Sequence, residues 1–155
     1  MQHILVTTDF SPESEAAFPM VKELLSLLKP GQGSATLVSV MEDLGQKSAQ
    51  FQFALAVLES HGIREQLRQE AEAQLEETRQ KHFDGLPVGV ELLRATKPVH
   101  REIIDYSKQN AVDLIVVATH GRTGVSHVLL GSVSEKLVRE SPIPILVVPV
   151  PQEKA

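Results

Sequence analysis

Glycines at positions 121, 124 and 131 separate an apolar run ending at Ala118 from a segment that opens Ser132-Val133-Ser134-Glu135. Backbone without side chains lets a ligand approach the main chain closely. The first turn of a helix carries unpaired N–H groups and a partial positive charge, so a helix opening at Gly131 would hold an anion, above all a phosphate. The hydroxyls of Ser132 and Ser134 could add hydrogen bonds. The Gly121–Gly124 stretch could close on the same anion as a nest of backbone amides. Ser132 and Glu135 also have the spacing of a capping box, which makes Ser132 the expected N-cap.

A second polar group stands in "TTDFS", where Thr7, Thr8 and Asp9 end the first apolar run. The plainest alternative for Asp9 is structural, either capping the first helix or accepting the amides of a turn. His120 has no carboxylate or second ligand near it in sequence, so lining the pocket suits it better than acting as a base. Arg122 and His127 lie in the same glycine-rich stretch. Either could meet a terminal phosphate, with a solvated surface position as the alternative.

These residues need elements to hold them. Five apolar runs read as strands: His3–Thr8, Ala35–Met41, Val88–Arg94, Asp113–Ala118 and Ile143–Val148. Several are nearly continuous in Val, Ile and Leu, as expected when both faces of a sheet are covered. Helical patterns lie between them. The first opens at "SPESEAAF", with Ser11 as N-cap and Pro12 at the first helical position. Pro19 would then lie inside that helix and kink it. Arg64–His82 carries a narrow apolar stripe of Leu67, Ala71 and Leu75, and Val99–Asn110 and Val133–Glu140 are two more helices. Glu42–Gly62 reads either as a loop or as a short helix carrying Phe51, Phe53, Leu55 and Val57. Alternating strands and helices imply a parallel sheet with right-handed crossovers. Ligands of such sheets bind at the carboxyl ends of the strands where the strand order reverses. If the first and fourth strands are neighbours there, Thr7–Asp9 and Ala118–Gly121 face one crevice.

The bulk composition narrows the function classes. The chain has 155 residues, which fits a single domain over 1–155. It is 42% apolar and 23% charged, as in ordinary globular proteins. A net charge of −5 without a basic run argues against a nucleic-acid surface. Without cysteine, disulfides, Cys-zinc sites and thiol nucleophiles are excluded. No apolar stretch approaches the roughly 20 residues that span a bilayer. The start "MQHILVTTDF" reads as a strand rather than a signal peptide, which makes a cytoplasmic location the expectation. There is no Walker loop, no G-x-G-x-x-G after the first strand, no G-x-S-x-G elbow and no HExxH pair. Prolines 142, 144, 149 and 151 bracket the last run and suit an edge strand.

The loop has a recognisable pattern. Gly121, nine residues from Arg122 to Leu130, and Gly131-Ser132 follow the signature Gly, two residues, Gly, nine residues, Gly-Ser or Gly-Thr, with Ala118 in place of the first glycine. With "ILVTTDFS" near the start and "PIPILVVP" near the end, the chain resembles the universal stress proteins, the family of UspA, in their ATP-binding branch. The resemblance covers essentially the whole chain. It implies an open five-stranded parallel α/β sheet with helices on both faces. Such a fold is Rossmann-like, of the adenine nucleotide alpha hydrolase-like type, with strand order 3-2-1-4-5. It implies ATP, or AMP or ADP, as a regulatory ligand in the stress response, with Mg²⁺ held by the phosphates and no metal ligand from protein side chains. Asp9 and the backbone around Thr8 and Val40 would hold adenine and ribose, and Val117 to Gly121 would line the ribose and phosphates. Gly131, Ser132, Val133 and Ser134 would hold the phosphates. Thr7 stands where the best-known ATP-binding member has proline. A homodimer through the final strand, Ile143–Val148, is also implied, together with a protein partner that the sequence does not name. The alternative within the family is a nucleotide-free dimeric interaction protein, which Ala118 favours. Any catalysis would be slow ATP hydrolysis or autophosphorylation at most.

Overall fold

Short apolar runs form the sheet. In the computed structural model, β1 is His3–Thr7, β2 Ser34–Glu42, β3 Val88–Ala95, β4 Leu114–Ala118 and β5 Ile145–Val148. The structure describes residues 1–42, 62–119 and 130–151, together with 53, 54, 56, 57 and 59. All strand pairs are parallel, in the order β3-β2-β1-β4-β5. The expected order 3-2-1-4-5 is therefore observed. β1 pairs with β2 on one side and β4 on the other, so the chain reverses direction across the sheet at β1. The crevice of a parallel sheet opens at that point.

Alternation along the strands builds two cores. Ile4 and Val6 of β1 join Val116 and Ala118 of β4 on one face. There they meet Phe18, Val21 and Leu25 of helix α1 (Phe18–Leu27) and Leu75 and Phe83 of helix α2 (Ile63–Phe83). Leu5 points the other way, as a period of two requires. With Ile115 and Val117 it packs against Ile103 and Ile104 of helix α3 (Val99–Gln109) and Leu137 of helix α4 (Ser132–Glu140). Fully burying each such side chain contributes about 1.5–3 kcal/mol. Helices thus cover both faces, which explains why the strand sequences are apolar on both sides. At the amino end of the sheet, Asp113 accepts the backbone N–H of Gln2 (2.6 Å) and of His3 (2.9 Å). Those two amides hold its carboxyl below the usual range.

The first helix departs from expectation. Rather than starting at Ser11–Pro12, the chain makes a 3₁₀ helix over Ser14–Ala17 and becomes α-helical only at Phe18. The cause is Pro19. It has no N–H to donate four residues back to Glu15, whose carbonyl is taken instead by the N–H of Phe18. Pro19 therefore falls in the first turn of α1, where a donor is not needed, and it kinks nothing. Ser11 keeps part of its expected role, since its Oγ accepts the N–H of Ser14 at 3.2 Å.

β5 begins at Ile145 rather than Ile143, because Ser141 Oγ accepts the Ile143 N–H (3.0 Å) in a local turn. In α2 the apolar stripe is buried only toward its C-terminus: Leu75 is buried but Leu67 is half exposed. Of the residues proposed for a short helix before it, Phe53 and Val57 are helical and exposed, whereas Phe51 and Leu55 lie outside the described residues.

Candidate functional site

The carboxyl ends of β1, β2 and β4 open into a cavity of about 500 Å³. Its first wall is the turn after β1. Thr7, Thr8 and Asp9 line it, followed by Phe10 and Ser14. This turn is tied together by its own side chains. Thr8 Oγ1 accepts the N–H of Phe10 at 3.0 Å and lies 2.9 Å from Ser14 Oγ. The Ser14 hydroxyl donates to the carbonyl of Ser11 at 2.8 Å, so Thr8 must be the donor in the Thr8–Ser14 bond. Phe10 sits at φ +64°, a left-handed conformation uncommon for an aromatic residue. Asp9 Oδ1 accepts both the N–H of Ser11 (3.0 Å) and its hydroxyl. The structural role foreseen for Asp9 is therefore present, in a residue that also borders the cavity.

The second wall is the start of α4. Gly131, Ser132, Val133 and Ser134 all line the cavity. The N-cap is Gly131 rather than Ser132, and no side chain caps the first turn. The expected capping box does not form: Glu135 pairs along the helix with Arg139 at 3.0 Å instead of reaching back. The first-turn N–H groups of α4 are thus left without a side-chain acceptor of that kind. Ser134 is 4% exposed, and its hydroxyl donates to the carbonyl of Ala118 at 2.8 Å, tying the end of β4 to the start of α4. Its proton is used there. A second tie joins the N–H of Gly131 to the carbonyl of Thr119. His120, Gly121, Arg122 and Gly124 lie outside the described residues.

Between these walls lies a floor of strand ends. Val117 and Ala118 of β4 and Val40 of β2 line it. The Ala118 side chain is 4% exposed and belongs to the apolar cluster of Ala17 and Phe18. Sequence reasoning missed the far end, where Ser39, Met41 and Glu42 of β2 meet Ala71 of α2, Leu92 of β3 and Val99 of α3. One signal was readable: Ser39 interrupts the apolar run "LVSVM". The apolar contacts from α2 and β3 come from distant parts of the chain and left none. The cavity as a whole is amphiphilic, with hydroxyls, a helix amino terminus and carboxylates around an apolar slot. That is the usual make-up of a small-molecule site.

Residues 1–149 match the model of the universal stress protein family. The chain belongs to that family. Universal stress protein MJ0577 of Methanocaldococcus jannaschii is 28% identical to it, over 94% of this chain and 93% of the relative. The solved structure of MJ0577 superposes with a TM-score of 0.78 at 27% identity, covering 98% of both chains. Two more distant universal stress proteins share the fold. One is from Archaeoglobus fulgidus in complex with dAMP, with a TM-score of 0.62, 16% identity and coverage of 96% of this chain and 98% of that one. The other is in complex with cAMP, with a TM-score of 0.60, 17% identity and coverage of 97% and 98%.

Proposed function

We propose that this universal stress protein binds an adenine nucleotide, ATP or its mono- or diphosphate, as a regulatory ligand of the stress response. The observation that carries the reading is the meeting of two walls in one cavity: Thr7–Asp9 after β1, and the uncapped first turn of α4 at Gly131–Ser134. The helix start suits a phosphate. Asp9 and the backbone near Thr8 and Val40 suit the ribose and base, with Val117 and Ala118 beneath. His120, Gly121, Arg122 and Gly124 complete the phosphate side in this reading. Relatives of the same fold with dAMP and cAMP bound support the ligand class. Among the described residues no three His, Asp or Glu side chains are grouped to hold a metal. Mg²⁺ would therefore arrive with the phosphates, as this ion prefers.

We also assign a homodimer through Ile143–Val148. Among the described residues β5 pairs with β4 alone, and all four of its residues are only half buried. No helix among the described residues is long and apolar enough to cross a membrane. A cytoplasmic site of action and an unidentified protein partner complete the proposal.

The test is equilibrium dialysis of the purified protein against AMP, and against ATP with Mg²⁺, up to millimolar concentration. Saturable binding of one nucleotide per chain is expected. If neither binds, the second reading takes over: a dimeric interaction protein without nucleotide, favoured by Ala118 in place of the signature glycine.

A further inference from the structure

Thr8, Ser14, Ser39 and Ser134 place buried hydroxyls around the cavity, at 6%, 5%, 4% and 4% exposure. Thr8, Ser14 and Ser134 are engaged within the protein by the bonds described above. Ser39 is not: among the described residues its Oγ has no hydrogen-bond partner. Buried polar groups nearly always have one, and leaving a hydroxyl unpaired costs stability. Nor is Ser39 Oγ sealed into the core. Among the described residues, the one occluded side-chain polar atom without a hydrogen-bond partner is His82 Nε2, which lies 3.3 Å from Glu15 Oε2. The Ser39 hydroxyl therefore opens onto the cavity.

Its position indicates which part of a ligand it would meet. Ser39 lies in β2 beside Leu92 of β3, with Met41 two residues on and on the same face of the strand. Met41, Leu92 and Ala71 make this end of the cavity apolar. Such a surface suits the flat faces of a heteroaromatic ring and would be a poor place for a phosphate. The start of α4 follows β4, which is separated from β2 by β1 alone. Two strand spacings are about 10 Å. A nucleotide with its phosphate on α4 and its ribose beside Asp9 therefore carries its base to β2.

We propose that Ser39 Oγ hydrogen-bonds the base of the bound nucleotide. It would donate to a ring nitrogen or accept from an exocyclic amine. The inference rests on the nucleotide reading of the site and extends it to a residue that discriminates the base end.

The experiment compares wild type with Ser39→Ala in calorimetric titrations of AMP and of ribose 5-phosphate, which has the same sugar and phosphate but no base. Ser39→Ala is expected to weaken AMP about tenfold and to leave ribose 5-phosphate unchanged. The ligand-free melting temperature should stay level or rise, since alanine removes an unpaired buried hydroxyl. Ser39→Cys, of similar size with a weaker donor, should fall between and serves if the alanine variant folds poorly. AMP affinity within twofold of wild type would overturn the proposal. So would an equal loss for ribose 5-phosphate, or a ligand-free melting temperature lowered by several degrees. A wild-type protein that binds neither compound defeats the nucleotide reading itself, and this inference with it.

Discussion

Ala118 is the residue on which the family signature and this chain disagree. Ala118 belongs to the buried apolar cluster that includes Ala17 and Phe18, and it also borders the cavity floor. Restoring glycine would remove a packed group and loosen the strand. Ala118→Gly is expected to cost about 0.5–1 kcal/mol of stability and to change nucleotide affinity less than about threefold, or roughly 0.65 kcal/mol. Urea unfolding and AMP titration check both halves. A large gain in affinity would mean that the methyl crowds the ligand. The same residue shows what sequence can and cannot reveal. Its type and its place in the signature were legible, but the direction of its side chain depends on the pleat of β4. Ser134 makes the point again. A serine in the first turn of a helix reads as a phosphate ligand, yet its hydroxyl donates to Ala118, 16 positions earlier in the chain. Ser39 could have been noticed as one polar residue in an apolar run, but that its hydroxyl has no partner among the described residues is a fact of three dimensions.

At the scale of elements, the strands were legible because continuous Val, Ile and Leu runs leave few alternatives when both faces are covered. Their ends were less so, since local side-chain bonds set them. Ser141 turns the chain before β5, for example, and moves the strand start to Ile145. The largest departure was the opening of the first helix. Ser11-Pro12 has the form of a helix start, and Pro19 then looks like a fault in the middle. Instead, the missing N–H of Pro19 sets where the 3₁₀ turn gives way to α1, and its side chain is exposed. Pro19→Ala should therefore change stability by no more than about 0.5 kcal/mol in denaturant unfolding. A gain of several kcal/mol would show that the proline does strain the helix interior. The capping box at Ser132–Glu135 failed for a comparable reason. Glu135 has a partner one turn ahead in Arg139, and Gly131 takes the cap position.

For the whole molecule, the alternation of strands and helices implied a parallel α/β sheet, and the family resemblance supplied its order. The sheet has two edges, β3 and β5. Four half-buried apolar residues in β5 make it the edge suited to a second copy, flanked by Pro144 and Pro149. Analytical ultracentrifugation should give twice the 17.0 kDa chain mass. A monomer at tens of micromolar would remove the dimer from the proposal. The turn after β1 is braced by bonds within residues 8 to 14 themselves. That wall is therefore held by the chain's own bonds. Ordering a loop on binding would subtract from affinity and slow capture, and here that penalty is met during folding. The Phe10 and Ser11 amides, held by side-chain oxygens rather than by a strand partner, should exchange with solvent at nearly the same rate whether the protein is empty or occupied.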